Sequence, residues 1–475
     1  MATVIPFKGL RYHPAKAENL AEVVTPPYDV IDATAQDRYY TRHPYNIIRL
    51  EYGKTYSEDN ETDNRYTRAT ADFNTWLEES VLVPEDKPAL YLYEQEYTVG
   101  GQKKIRSGFI CGVRLEPYEK GVVLPHEETM PKHKADRLEL MRVCRANFSP
   151  IFSLYADREK TVDSALREAV KGAAPDVIFT DEAGEIHRMW AITDTEIIGR
   201  VQQVMADKRI FIADGHHRYE TALNYKKERE TQGVAHSEDR AVAVTSSCCT
   251  GPEGLCCSSA SEPAYNYVMM TLVNLYDPGL VVLPTHRLIK NVDGLDKGWL
   301  VEQLKENFTV EEYPLAPDRS NFQEFLGLLA KRGQTCCSCD QAASASRCHV
   351  FGLYTGDNHL YHLTVKNEKA LGQFMPEEKS HAWRGLDVSV LHTMIIEKHL
   401  GIGGELRAKA ENITYTREEE GALSTVDAGE YQLAFFMNPT LVEEVTEVAG
   451  NGEKMPQKST FFYPKLITGL VVNRL

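Results

Sequence analysis

Two short runs hold residues whose types and spacing could do chemistry. The first is Asp214-Gly215-His216-His217-Arg218, preceded by the apolar run Ile210-Phe211-Ile212-Ala213. That order predicts a strand, a one-glycine turn, and a helix whose first turn carries both histidines and the arginine. Gly215 lets the backbone approach a ligand closely, and the unpaired N–H groups at a helix start attract anions. Arg218 adds a planar fork of donors suited to phosphate oxygens. Asp214 could hold a metal ion beside the phosphates or simply cap the helix.

The second run is Pro125-His126-Glu127-Glu128-Thr129, which follows the apolar Val122-Val123-Leu124. A glutamate with an ordinary pKa of about 4.3 is ionised at neutral pH and can take a hydroxyl proton within hydrogen-bond reach. The alternative is that Glu127 and Glu128 merely open the next helix, where carboxylates complement the dipole. Met130 stands where a zinc-binding H-E-x-x-H motif needs its second histidine. Lys458-Ser459-Thr460 has the ending of a P-loop without the glycine-rich lead, and reads better as a polar loop that reaches a substrate. Thr285-His286-Arg287 and His381-Ala382-Trp383-Arg384 have no partner assignable from spacing. No G-x-S-x-G elbow or dinucleotide G-x-G-x-x-G is present to carry hydrolase or dehydrogenase chemistry.

The elements that must position these residues alternate between strand and helix patterns. Asn46–Tyr52 reads as a strand, and Arg65–Glu79 as a helix with Tyr66, Ala69, Phe73, Trp76 and Leu77 near one face. Ala89–Tyr97 and Arg106–Leu115 read as antiparallel strands about a Gly100-Gly101 turn. Lys134–Arg145 predicts a helix, Ser149–Tyr155 a strand, and Asp194–Met205 a helix before the glycine turn. Downstream, Tyr267–Leu275 and Leu280–Pro284 read as strands, Lys297–Glu306 and Arg319–Leu329 as helices, and Leu386–His392 as the opening of another. The Ser-, Cys- and Gly-rich stretch 246–262 is the best linker. The expected division is therefore 1–245, a linker or insertion at 246–262, and a C-terminal α/β domain at 263–475, in a mixed α+β protein.

At 475 residues the chain exceeds one ordinary core, and its 42% hydrophobic and 26% charged residues place it among globular proteins. A net charge of −16 disfavours general nucleic-acid binding but leaves room for a local phosphate pocket. No apolar run approaches the roughly 20 residues that span a bilayer, and no secretory signal opens the chain, so a cytoplasmic protein without a membrane partner is expected. The ten cysteines include Cys248-Cys249, Cys256-Cys257 and the cluster Cys336, Cys337 and Cys339. Adjacent cysteines differ from the C-x-x-C zinc knuckle, so no metal ligand set is assigned.

The order of the motifs resembles that of the free L-serine kinases of the ParB/sulfiredoxin-like superfamily: Leu-Pro-His-Glu-Glu-Thr, a helix, Ser-Pro-Ile-Phe, then a strand into Asp-Gly-His-His-Arg. Over nearly its full length the chain is also similar to a family known as domain of unknown function 1015, through Pro26–Ile31, His43–Asn46, Asp214–Tyr219 and Met455–Leu466. The resemblance implies a ParB/sulfiredoxin-like mixed α/β core with an additional C-terminal α/β domain. It implies ATP or ADP with its phosphates against Asp214, Gly215, His216, His217 and Arg218, and Mg²⁺ bridging phosphate oxygens. It further implies Glu127, with Glu128 as a substitute, as the base toward a small hydroxyl substrate, free serine first, with His216 and His217 among the catalytic groups. Sulfiredoxins carry a reactive cysteine where His216 stands, and ParB proteins use Glu-Arg-Arg and DNA-binding helices, which this acidic chain lacks. A nucleotide-binding regulatory protein without phosphotransfer is the alternative reading. The partners expected are a nucleotide and a small-molecule substrate; the acceptor and the oligomeric state are left open.

Overall fold

Strand-forming runs dominate the first half of the chain, and the computed structural model, which describes residues 2–129, 131–231, 241–244, 260–334, 348–409 and 411–475, gathers them into one mixed sheet. Its strands are Val4–Ile5 (β1), Leu90–Val99 (β2), Gln102–Arg114 (β3), Val123–Leu124 (β4), Ile151–Tyr155 (β5), Val177–Thr180 (β6), Ile186–Ile192 (β7), Ile210–Asp214 (β8) and Tyr267–Asn274 (β9). In space the order is β4-β8-β5-β9-β3-β2-β7-β6, with β1 added against β3. The β2–β3 hairpin turns at Gly100 and Gly101, whose φ values of 55° and 73° suit glycine.

The helices that matter here are Arg65–Glu78 (α1), Pro131–Cys144 (α2), Thr161–Ala169 (α3), Thr195–Met205 (α4) and His216–Thr231 (α5). Helix α1 buries Ala69, Phe73 and Trp76, as its spacing predicts, and Asn64 caps it in a capping box with Thr67. Asp194 caps α4 by accepting the Glu196 and Ile197 N–H groups. Val162 and Leu166 of α3, Ile198 and Val201 of α4, and Tyr219 and Ala222 of α5 belong to the core that includes Ile210 and Ile212 of β8. Burying side chains of this size stabilises by roughly 1.5–3 kcal/mol each.

The chain divides into two compact units, Met1–Val281 with Pro464–Leu475, and Val282–Tyr463. The last residues thus return to the first unit, where Thr468 pairs with Thr25 and Val472 with Leu10. Strand β9, downstream of the 246–262 stretch, lies between β5 and β3 in the first unit's sheet. The second unit has its own sheet, in which Val350–Tyr354 lies between His359–Val365 and Leu433–Phe436. Phe322, Phe325 and Leu329 of the helix Phe322–Gln334 pack in its core. Mixed helices and strands in both units agree with the α+β class.

One expectation fails locally. Asn46–Tyr52 is not a strand: Ile48–Glu51 is a helical turn. The Asn46 side chain accepts the Ile48 N–H at 3.0 Å and so starts the turn, a local competition that outweighs the β-branched composition. Most of the 246–262 stretch, and all seven cysteines of the adjacent pairs and the 336–339 cluster, fall outside the described residues. Cys111, Cys144 and Cys348 are buried free thiols. Among the described residues no helix is long and apolar enough to cross a membrane.

Candidate functional site

Parallel pairing of β4 with β8, with Val123 opposite Ile210 and Leu124 opposite Phe211, decides where the two motifs meet. Parallel neighbours end at the same edge, so Pro125–Thr129 and Asp214–Arg218 leave the sheet side by side. Ligands of open α/β sheets bind in crevices outside the carboxyl ends of strands. Strand β5 runs antiparallel to β8 and starts at that edge, which adds Ser149 and Pro150.

A β-bulge aims the aspartate. Ile212 pairs with Ser153, but the next pair is Asp214 with Phe152, so Ala213 is the extra residue. Paired residues share a face of the sheet, so the bulge takes Asp214 off the core face of Ile210 and Ile212 and puts it with Phe152. Gly215 then turns the chain at φ +97°, a backbone that other residues rarely adopt. A Cβ there would lie 2.9 Å from the Arg218 guanidinium.

Asp214 is mostly buried, and Lys465 Nζ lies 3.1 Å and Arg218 Nη2 3.8 Å from its Oδ2. Burial alone would raise its pKa; the two cations outweigh burial and hold the carboxyl well below the ordinary range. Arg218 also donates from Nη1 to the Pro150 carbonyl at 2.6 Å, which fixes its fork beside the turn.

The histidines join the two loops. The His126 backbone N–H donates to His216 Nε2 at 3.2 Å, and the rings meet edge to face at 4.7 Å. His126 Nδ1 lies 2.7 Å from the Ile212 carbonyl, which requires the proton on Nδ1. Burial pushes the His126 pKa down to about 4, so the ring is neutral at physiological pH. His216 is buried and braces the loops, while His217 and Glu127 are half-buried beside it. Glu128 is exposed. Thr129 and Lys134 both donate to Glu220 Oε2, at 2.6 and 2.8 Å, and tie the Glu127 loop to helix α5.

A cleft next to Arg218 has a mainly apolar lining, including Leu140, Met141 and Phe148, among which Glu51, Arg137 and Ser149 place polar groups. Glu51 accepts Ser149 Oγ at 2.9 Å and lies 3.4 Å from Arg137 Nη1, and its pKa is raised by burial. Arg137 also donates to Asp136 and lies 4.2 Å over the Tyr28 ring, which brings the Pro26–Ile31 segment to the cleft.

The structure therefore brings together Glu127, Asp214, Gly215, His216, His217 and Arg218. Lys465, Glu51, Arg137 and His126 were not singled out from sequence as members of the site; for His126 the Pro-His-Glu order was the available signal. Thr285–Arg287, His381–Arg384 and Lys458–Thr460 belong to the second unit. There Arg287 is buried and donates to the carbonyls of Thr285 and Lys458, and Trp383 donates to the Lys454 carbonyl.

No curated protein matches the chain. Similar solved structures include a free serine kinase in complex with AMP, at 15% identity over 74% of this chain and 89% of that one, with a TM-score of 0.31. A free serine kinase variant in complex with ADP is 14% identical over 78% and 94% of the two chains, with a TM-score of 0.32. A C-terminally truncated SbnI from Staphylococcus aureus is 11% identical over 76% and 85%, with a TM-score of 0.31. Likenesses this weak carry no weight for activity. The family model described as "Protein of unknown function (DUF1015)" matches residues 4–389, and the chain belongs to that family.

Proposed function

We propose that this protein is a nucleotide-dependent phosphotransferase acting on a small hydroxyl metabolite, with free serine as the first substrate to test. The observation that carries the reading is the β4–β8 pairing, which sets a loop with two carboxylates beside a glycine turn and an arginine at one sheet edge. ATP or ADP suits that turn. Gly215 leaves the space that a Cβ would take beside Arg218, and helix α5 begins immediately after it.

In this reading the amides after Gly215 and the Arg218 fork bind phosphate oxygens, and Lys465 offsets their charge. His216 positions the two loops through the His126 N–H, and His217 stands at the helix start toward the phosphates. Glu127 accepts the proton of the substrate hydroxyl, and Glu128 is its neighbour one residue on. Asp214 and the phosphates offer oxygen donors that fit Mg²⁺, which would neutralise charge developing on the transferred group. Most of the catalysis would come from positioning and fixed charge.

Purified protein given serine, ATP or ADP, and Mg²⁺ should form phosphoserine. Glu127→Gln should lower turnover by 10²-fold or more, the usual range for losing a general base, with nucleotide affinity nearly unchanged. Normal turnover in that variant would remove Glu127 from its role. The second reading, nucleotide binding without transfer, is favoured by one feature: Asp214 already engages both Lys465 and Arg218. Nucleotide binding with no phosphorylated product from a panel of hydroxyl metabolites would establish it.

A further inference from the structure

We propose that Asp181, Glu185 and His187 form a binding site for a divalent first-row transition-metal cation, separate from the nucleotide edge. The three sit on the hairpin between β6 and β7, and one donor atom from each lies within 4.8 Å of the other two. His187 is wholly buried, with its ring stacked against Phe179 at 4.7 Å and Tyr93 at 6.0 Å. Its Nδ1 lies 2.7 Å from Tyr93 Oη. With the Nδ1 proton given to Tyr93, Nε2 keeps a lone pair, which is how a second group fixes the tautomer of a metal-binding histidine.

That Nε2 is buried and faces Asp181 Oδ2 at 3.2 Å. In the tautomer with the proton on Nδ1 that buried lone pair faces a carboxylate oxygen, and a cation between the two would satisfy both. Two donors about 2.0–2.1 Å from one tetrahedral cation stand about 3.3 Å apart, close to this spacing. Asp181 is preorganised as well: its Oδ1 accepts the N–H groups of Ala183 and Glu185, each at 2.9 Å, leaving Oδ2 toward the histidine. Glu185 is buried, and the Arg106 guanidinium, which donates to Gln95, acts on it electrostatically. Two carboxylates and one imidazole suit Mn²⁺, Fe²⁺ or Zn²⁺ and leave a coordination position for water.

The test uses the full chain, stripped with chelator and free of nucleotide, titrated with Mn²⁺ and followed by electron paramagnetic resonance and calorimetry. Mn²⁺ is the probe because it prefers oxygen and imidazole donors to thiols, so the cysteine clusters do not compete. One equivalent should bind in the wild type. Asp181→Asn keeps the Oδ1 acceptor for the turn and should weaken binding at least tenfold, as should Glu185→Gln. Tyr93→Phe keeps all three ligands and should weaken binding about tenfold through the histidine alone. No bound equivalent in the wild type, or equal affinity in both carboxamide variants with circular dichroism unchanged, would overturn the proposal.

Discussion

Replacing Lys465 with methionine isolates the charge balance on which the candidate site depends. Lys465 Nζ lies 3.1 Å from Asp214 Oδ2, and the two side chains are 16% and 19% exposed. Two unit charges at that distance attract by about 5 kcal/mol at an effective dielectric constant of about 20. Arg218 stays 3.8 Å away as the remaining cation, and the lost ammonium no longer has to be desolvated. The net cost should fall at the low end of the roughly 3–5 kcal/mol found for breaking buried pairs.

The pH dependence then identifies the cause. Asp214 has its folded pKa depressed, because Lys465 and Arg218 together outweigh burial. Its contribution is therefore fully present above the unfolded value of about 3.9 and is lost as pH falls through the folded value. Lys465→Met raises the folded pKa and removes most of that contribution. Urea unfolding followed by far-UV circular dichroism should show the full difference near pH 7. Below about pH 3.9 the difference should shrink by up to about 1.4 kcal/mol per pH unit. A difference that stays constant to about pH 3 would refute the pairing as its source.

Gly215→Ala forces an alanine to φ +97° and sets its methyl 2.9 Å from the Arg218 guanidinium. Thermal unfolding should show a loss of about 1–2 kcal/mol, and calorimetry with ADP should show a loss of affinity exceeding that amount. His126 should remain neutral down to about pH 4, because burial disfavours its cation. Its folded pKa lies below the unfolded value of about 6.5, so the stability it gives is full above that value and declines between about pH 6.5 and 4. Imidazole resonances followed by NMR check the pKa directly; a midpoint near 6.5 would contradict the burial of the ring.

Local chemistry made part of the site legible in the sequence. Gly215 between an apolar strand and a helix has one economical conformation, and Asp214–Arg218 lies where that pattern places it. Val122–Leu124 before Pro125 likewise announced a strand, but its parallel pairing with β8 is a long-range fact that periodicity does not encode. Lys465 reaches Asp214 from 251 residues away, and Glu51 meets Arg137 across 86; neither contact leaves a spacing to read. The bulge at Ala213 is equally silent, because an extra residue in a strand changes no local composition. At Asn46, a side chain hydrogen-bonding its own backbone made a helical turn from residues that looked extended.

Diffraction from crystals soaked with ADP would show whether the Gly215 turn holds phosphate. A diphosphate oxygen should lie about 3 Å from the amide nitrogens of His216 or His217, with Arg218 turned toward it and Glu127 facing the terminal phosphate. ADP bound elsewhere, with Asp214 still holding Lys465 and Arg218 and no phosphate at the Gly215 turn, would contradict that placement.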